Sequence, residues 1–197
     1  MDIAIIKYNA GNVQSVLYAL QRLGMNARVT DDHDEIKNAD KVIFPGVGNA
    51  NAAMASLKEK NLDELIKKLT QPVLGICVGM QLMCKHSEES DTPCLGIVDL
   101  DVKKFVAEDK HFKVPQIGWN TIQDYKSQLL KGVNENAYVY YVHSYYVGLG
   151  SETVATTDYI IPYSAVIQKN NFYGVQFHTE KSAEVGERIL LNFLNLN

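Results

Sequence analysis

The side chain with the most reactive setting is Cys77, which lies between two glycines in the pentapeptide GICVG (Gly75–Gly79). An apolar run, Pro72–Ile76, precedes it and a helical pattern follows, as in a nucleophile elbow with cysteine in place of serine. A side chain on such a turn stands above the sheet, and the next helix offers amide groups that favour a thiolate. The amide of Val78 is predicted to face a developing oxyanion. A free cysteine is otherwise a small buried apolar residue, so the pentapeptide alone leaves both interpretations open.

A thiol nucleophile needs a base and a third group that orients the base. Among five histidines, His178 is favoured because it follows an apolar strand, and parallel-sheet proteins gather their sites at strand ends. Glu180 lies two residues on, so in an extended chain both side chains leave the same face. A surface His–Glu pair is the alternative interpretation. His143, within an aromatic strand, is the competing base.

A second turn, Pro45–Gly48, also follows an apolar strand directly. It is predicted to supply a further oxyanion donor at Val47 or Gly48, or to line the substrate pocket. It matches neither the phosphate loop GxxxxGK[ST] nor GxGxxG. Cys84 and Cys94 have no comparable setting, and structural roles are expected for them.

Composition excludes several classes of protein. The 197 residues are 46% apolar and 21% charged with a net charge of -4, and no dense Lys/Arg run occurs, so neither nucleic acid nor membrane is expected as a partner. No apolar stretch approaches the ~20 residues that span a bilayer, which favours a cytoplasmic protein. Three cysteines without framework or CxxC spacing predict neither a disulfide scaffold nor a metal site.

The elements that must position these residues alternate between strand and helix in the first half of the chain. Apolar runs at Ile3–Ile6, Lys41–Phe44 and Pro72–Ile76 read as buried strands. Helices are predicted from Val13 to about Leu23, with Gly24 at the end, and from the Pro45–Gly48 turn to about Leu69. This alternation predicts a parallel sheet.

From about Leu95 the pattern changes to short β-rich segments, which read as antiparallel hairpins that are appended to the sheet or continue it. They are Val102–Val106, Lys113–Ile117, Ala137–His143, Thr153–Thr157, Ser164–Gln168 and Phe172–Phe177. A last helix is predicted from about Ala183 to Leu194. The sequence thus predicts one α/β domain over residues 1–197. Its mostly parallel central sheet is flanked by helices, and its C-terminal half is antiparallel and rich in β-structure.

Together these motifs resemble the class I (triad) glutamine amidotransferases. The segments GICVGMQ (Gly75–Gln81) and VQFHTE (Val175–Glu180) are similar to the two signatures of that family, in the family's order. The resemblance implies that Cys77 attacks the side-chain amide of L-glutamine, that His178 transfers the proton and that Glu180 orients His178. It requires no metal and no organic cofactor. It also implies substrate-binding residues, namely Gly48, Gln81, Ser144 and Tyr145.

Within the family, further segments resemble the branch of glutaminase subunits that serve imidazole glycerol phosphate synthases in histidine biosynthesis. These segments are Tyr8–Asn12, Phe44–Gly48, Pro115–Asn120, Val142–Tyr145 and Glu180–Ser182. The resemblance implies a heterodimer with a (β/α)₈ cyclase subunit that takes up the ammonia. The interface residues that it implies are Asn12, Trp119, Tyr140 and Lys181; core or edge packing is the alternative for Trp119 and Tyr140.

Two departures from the family pattern leave alternatives open. Thr179 replaces the usual proline between His178 and Glu180, and Lys7–Asn12 differs from the more usual Asp-Tyr-Gly-x-Gly-Asn. A paralogous glutaminase that feeds a cyclase-like partner in surface-polysaccharide synthesis fits nearly as well. Against a related cysteine hydrolase stands Val78, where that class has histidine. The Gly118–Asn120 and Glu180–Ser182 segments argue against the glutaminase of pyridoxal phosphate synthesis, and an intact triad argues against an inactive regulatory module.

Overall fold

The computed structural model describes residues 1–9 and 13–196. In chain order the strands are β1 (Ile3–Ile6), β2 (Arg28–Thr30), β3 (Lys41–Phe44), β4 (Val73–Ile76), β5 (His86–Ser87), β6 (Thr92–Pro93), β7 (Asp101–Lys104), β8 (Gln116–Thr121), β9 (Tyr138–His143), β10 (Tyr145–Val147), β11 (Thr153–Tyr159), β12 (Ile161–Lys169) and β13 (Phe172–Val175). The helices are α1 (Val13–Arg22), α2 (His33–Asn38), α3 (Ala50–Glu59), α4 (Leu62–Ile66), α5 (Val78–Met83) and α6 (Ala183–Leu194), with short 3₁₀ turns at Gln128–Leu130 and Thr179–Lys181.

A seven-stranded sheet in the order β11-β12-β13-β4-β3-β1-β2 forms the centre. The five strands from β13 to β2 are parallel, and β11 and β12 add an antiparallel edge. A smaller sheet, β10-β7-β5-β6, and the hairpin β8-β9 lie beside it. The predicted α/β class, with a mostly parallel sheet and an antiparallel β-rich second half, is confirmed.

The local sequence explains the central elements. Every residue of β1, β3, β4 and β13 is buried, because helices cover both faces of a parallel sheet. Helix α1 buries Val16, Ala19 and Leu20, and Gly24 follows it at φ +74°, a conformation that glycine adopts without steric cost. Helix α6 has the predicted bounds and buries Ile189, Phe193 and Leu194.

Some predicted bounds were wrong. The stretch predicted as one helix to about Leu69 is two helices, α3 and α4, which Asn61 separates with a left-handed backbone at φ 54°. The strand predicted at Lys113–Ile117 starts only at Gln116 and extends to Thr121. The short strands β2, β5, β6 and β10 were not predicted, since two or three residues show no measurable periodicity.

Candidate active site

Three neighbouring parallel strands end at the same edge of the sheet, and each leads into a segment that was predicted to carry chemistry. Pro45 follows β3, Cys77 follows β4, and Gln176 follows β13. The register aligns Gly174 with Gly75 across β13 and β4, and the Cys77 N–H donates to the Val175 carbonyl at 2.8 Å. The fold therefore joins segments 101 residues apart in sequence at one point.

Cys77 forms the expected elbow between β4 and α5. Its backbone, at φ 53° and ψ -110°, lies where side-chain-bearing residues are seldom found, and its side chain lies at the mouth of a cavity. The turn is this tight because Gly79 packs against β3: a Cβ atom there would lie 1.9 Å from the Phe44 carbonyl oxygen. The glycine two residues after the nucleophile thus serves a close backbone approach.

His178 and Glu180 form a buried pair behind the cysteine. The His178 Nδ1–H donates to Glu180 Oε1 at 2.7 Å, and the two side chains are 5% and 2% exposed. Cys77 and His178 line the same cavity. Burial lowers the pKa of His178, but its interactions with Cys77 and Glu180 outweigh that effect and raise the pKa to about 10. The site therefore favours a protonated imidazole beside the sulfur.

The route by which His178 and Glu180 meet differs from the prediction. The chain is not extended there: residues Thr179–Lys181 form a 3₁₀ turn, which folds the carboxylate back onto the imidazole. Thr179, in the position of the usual proline, is buried in this turn, and the α6 helix packs against it so closely that a Cβ on Gly186 would lie 1.9 Å from the Thr179 oxygen. Helix α6 thereby fixes the turn.

Strand β9 is bonded directly to the same turn. The His178 N–H donates to the Tyr140 carbonyl at 2.9 Å. The Ser182 hydroxyl donates to the His178 carbonyl at 2.6 Å and accepts from the Tyr140 N–H at 3.0 Å. Three hydrogen bonds thus connect the β8-β9 hairpin to the backbone that carries the histidine.

His143 has the environment of a core residue. Its ring Nδ1–H donates to the Tyr145 carbonyl at 2.8 Å, and the Tyr163 hydroxyl lies 3.3 Å from Nε2. Burial lowers the pKa of His143 to about 4, so the ring stays neutral. Both histidines line the cavity beside Cys77, but His178 is the one whose ring is hydrogen-bonded to a carboxylate, that of Glu180, and the structure thus favours His178 as the base.

The two other cysteines are held as thiols. Burial raises the pKa of Cys84 well above its usual value, and its Sγ lies 3.8 Å from the Met80 carbonyl oxygen. Burial also raises the pKa of half-buried Cys94 to about 12. Both environments agree with the structural roles expected for these residues.

The oxyanion donors are arranged differently from the prediction. The Val78 N–H does not face the cavity freely, because it donates to the Gly46 carbonyl at 3.3 Å. Val47 and Gly48 both line the cavity, and Gly48 has φ +96° with open space around its Cα. The turn after β3 therefore shares the cavity with Cys77, and its Gly46 carbonyl accepts a hydrogen bond from the Val78 N–H that was predicted to face the oxyanion.

A cavity of about 330 Å³ opens over the sulfur and contains the predicted substrate-binding residues. Its walls include Gly48, Gln81, Ser144 and Tyr145 together with Cys77 and His178. Sequence reasoning missed Glu89, which also lines the cavity and accepts from the Ala50 N–H at 2.7 Å. Glu89 lies in a polar loop with no motif around it, so only the fold reveals its position.

Three of the four predicted interface residues form one cluster beside this cavity. Trp119 is 52% exposed and meets the Tyr140 ring edge-on at 5.8 Å, and Lys181 Nζ lies 6.0 Å from the centre of the same ring. Trp119 is thus not a core residue, and edge packing against Tyr140 stays open as its alternative role; Tyr140 is half-buried. Asn12 lies outside the described residues.

Two searches of the described ranges, 1–9 and 13–196, gave negative results. No helix there is both long and apolar enough to cross a membrane. No group of three or more His, Cys, Asp or Glu side chains there is placed to hold a metal ion.

Comparison with known proteins adds independent findings. The family model described as glutamine amidotransferase class-I matches residues 4–196. The imidazole glycerol phosphate synthase subunit HisH of Bacteroides fragilis is 59% identical over 100% of both chains, and that of Haemophilus influenzae is 46% identical over 98% of this chain and 97% of its own. A crystal structure of a glutamine amidotransferase, 16% identical, superposes with a TM-score of 0.75 over 98% of this chain and 96% of that one, which is a likeness of fold alone.

The family match spans almost the whole chain, and the relatives named above exceed 40% identity over nearly all of it. The elbow cysteine, the buried His–Glu pair and the shared cavity are found at the edge of the sheet where these motifs converge. The chain belongs to the class I glutamine amidotransferase family.

Proposed function

We propose that this chain is the glutaminase subunit of an imidazole glycerol phosphate synthase, and that one domain of residues 1–197 carries the activity. It hydrolyses L-glutamine through a Cys77 thioester. The observation that carries the chemistry is one cavity lined by both the strained elbow at Cys77 and His178, with the His178 ring hydrogen-bonded to the buried Glu180 carboxylate. Nucleophile, proton carrier and orienting carboxylate are the three parts that such a hydrolysis needs.

In the first half of the reaction the Cys77 sulfur attacks the carboxamide carbon of glutamine, and the carbonyl electrons move to oxygen. The protonated imidazole of His178 already holds the proton that the departing nitrogen requires. When the tetrahedral intermediate collapses, the C–N bond breaks, that proton passes to nitrogen, and ammonia leaves behind a thioester.

In the second half, the now neutral His178 takes a proton from water as the water oxygen attacks the thioester carbon. The C–S bond breaks, glutamate departs and the sulfur recovers its negative charge beside the imidazolium. Glu180 stays hydrogen-bonded to His178 Nδ1–H throughout, so the other ring nitrogen faces the reacting atoms. No metal or organic cofactor takes part in this scheme.

Substrate binding falls to the walls of the cavity. Gly48, Gln81, Ser144 and Tyr145 contact the glutamine, and the Glu89 carboxylate attracts its α-ammonium group. The developing oxyanion requires the amides of Val78 and of the Val47–Gly48 turn. Because the Gly46 carbonyl accepts from the Val78 N–H, the Gly46–Val47 peptide must rotate before both donors can act. We therefore expect the chain to hydrolyse glutamine slowly in this conformation.

The partner we propose is a (β/α)₈ cyclase subunit that receives the ammonia directly, since ammonia released into bulk water would be protonated and lose its nucleophilicity. The relatives that carry the HisH name support this assignment through their identity and full coverage. The Trp119, Tyr140 and Lys181 cluster lies beside the cavity, so an acceptor docked there would sit close to the site of release. Asn12 completes the proposed interface.

The test is a glutaminase assay with and without the histidine-pathway cyclase and its nucleotide ligand. We expect hydrolysis to rise roughly a hundredfold or more with both present, by analogy with the cost of one missing oxyanion donor. Cys77→Ala should abolish it, whereas Cys94→Ala, the matched change at a half-buried thiol, should not. Stimulation only by a cyclase-like protein from a polysaccharide pathway would contradict the histidine assignment, and hydrolysis that survives in Cys77→Ala would contradict the chemistry.

A further inference from the structure

Gln176 is a buried glutamine that the reaction described above does not use. It is 0% exposed and directly follows β13. Strand β13 pairs with β4, the strand that leads into Cys77. Its amide Nε2 lies 3.7 Å from Cys77 Sγ, within hydrogen-bond range for sulfur. Its Oε1 accepts from Gln81 Nε2 at 2.9 Å. A buried amide with both ends engaged, one on the nucleophile, calls for a functional explanation.

The direction of the hydrogen bond to sulfur is fixed by the neighbouring groups. The chain of contacts ends at the Tyr145 carbonyl, which can only accept, so Gln81 must present its NH₂ group there, at 2.8 Å. The second hydrogen of that NH₂ group points at Gln176 and requires an oxygen opposite it. Gln176 is therefore left with its own NH₂ group facing Cys77.

His143 secures the far end of this chain. Its Nδ1–H donates to the same Tyr145 carbonyl, so that oxygen is held by two donors. The ring is neutral in its buried position, because burial lowers the pKa of His143 to about 4. The buried histidine that seemed a rival base thus becomes an anchor for a network ending at the sulfur.

The groups around the sulfur favour opposite protonation states. The Val142 carbonyl lies 3.9 Å from Cys77 Sγ and can accept only from a thiol. Gln176 offers a donor, as does protonated His178, and both suit a thiolate. Loss of the Gln176 donor leaves the carbonyl in place and tips this balance toward the thiol.

We infer that Gln176 is a positioning residue of the glutaminase reaction: its side-chain amide, oriented by Gln81 and the Tyr145 carbonyl, holds the Cys77 sulfur over the cavity and stabilises its negative charge before attack. This role rests on the proposed function of Cys77 as the nucleophile. It also connects the nucleophile to the wall of the glutamine pocket, since Gln81 and Tyr145 belong to both.

The test is the pH dependence of Cys77 alkylation by iodoacetamide, followed on the Cys77 peptide by mass spectrometry in the whole chain. In Gln176→Met the midpoint should move up by about one pH unit, with a roughly tenfold slower reaction below it. The deficit should close at high pH, where every sulfur is ionised. Gln176→Asn keeps a buried amide but is one methylene too short to reach the sulfur, and it should show the same shift if the methionine variant fails to fold.

Gln168→Met is the matched control, because Gln168 pairs with Tyr173 at the opposite end of the sheet and accepts only from Ser127 among its recorded side-chain contacts. It should keep the wild-type midpoint. An unchanged midpoint in the folded Gln176 variants, or a rate lowered equally at every pH, would overturn the inference. Alkylation does not depend on glutamine hydrolysis, so failure of the wild-type glutaminase assay would contradict the proposed function separately.

Discussion

At the scale of single residues, two side chains of the site are held in conditions that such residues seldom meet, one in its backbone conformation and one in its protonation. Cys77 holds a backbone conformation that side-chain-bearing residues rarely adopt, and His178 is buried yet protonated. Both are held by neighbours: the elbow by the close approach of Gly79 to β3, and the imidazole by Glu180. These constraints hold the proposed nucleophile, Cys77, and the proposed proton donor, His178, in place before any substrate binds.

The substitution Glu180→Gln should show how much the Glu180 carboxylate contributes to the rate of glutamine hydrolysis. We expect kcat to fall roughly 10³- to 10⁴-fold, because the imidazole loses both its orienting partner and the charge that stabilises its protonated form. Measurement of glutamate release with saturating partner would show this fall. Glu184→Gln, at an exposed carboxylate four residues on, is the matched control and should keep the wild-type rate.

The same variant should change how stability depends on pH. Although burial lowers the pKa of His178, its interactions with Cys77 and Glu180 raise it to about 10. Its contribution to the free energy of unfolding is thus complete below about pH 6.5 and is lost as the pH rises through about 10. In Glu180→Gln that loss should occur at lower pH, in urea unfolding measured from pH 6 to 10. Identical curves for the two proteins would refute the coupling.

Sequence reasoning at this scale reached the residues that stand in strong local patterns. Cys77, His178 and Glu180 were predicted from an elbow motif and a strand end; in the structure Cys77 and His178 line one cavity, and His178 is hydrogen-bonded to Glu180. Glu89 and Gln176 were not assigned roles, because their positions depend on loops and on pairing between distant strands. The hydrogen bond from the Val78 N–H to the Gly46 carbonyl could not be predicted either, since residue types do not determine the orientation of a single peptide group.

At the scale of elements, adjacent parallel strands gather the site and glycines set the spacing between layers. Helix α6 approaches the Thr179–Lys181 turn at Gly186, where no side chain fits. The turn carries Glu180, so the position of the carboxylate depends on the packing of the last helix. The bounds of α6 and of the buried strands were predictable from apolar periodicity. The two- and three-residue strands β2, β5, β6 and β10 were not, because tertiary contacts determine them.

Gly186→Ala should therefore affect both stability and catalysis. The added methyl group would meet the Thr179 backbone, which cannot move aside as a flexible side chain could, and we expect a loss of about 1–3 kcal/mol in the free energy of unfolding. The displaced turn should lower kcat as well. Gly148→Ala is the control, because its methyl group would meet only the Asp101 carbonyl at an ordinary 3.7 Å. Equal stability of the two variants would show that the helix has room to retreat.

At the scale of the whole molecule, the proposed docking surface lies beside the catalytic cavity. Trp119 and Leu149 are both 52% exposed, yet only Trp119 belongs to the proposed interface cluster. Buried aromatic residues often dominate binding energy when a partner covers them. Exposure alone therefore does not define the interface; its position next to Lys181 and the cavity does.

Trp119→Ala should weaken binding of the cyclase by about 2 kcal/mol or more, which is roughly thirtyfold in Kd. Leu149→Ala removes an equally exposed apolar side chain outside the cluster and should leave Kd unchanged. Calorimetric titration of each variant with the cyclase measures both values. Equal weakening by the two changes would place the interface elsewhere.

The three bonds that tie Tyr140 and Ser182 to His178 have a consequence for when glutamine is consumed. A partner docked on the β8-β9 hairpin, as proposed, would displace the same stretch of main chain that carries His178. Misplacing a reacting group by about 1 Å can change a rate roughly a hundredfold, so even a slight shift is a sufficient signal. Under the proposed function, docking of the ammonia-accepting partner and release of ammonia become a single mechanical event, so that little glutamine is hydrolysed while the subunit has no partner.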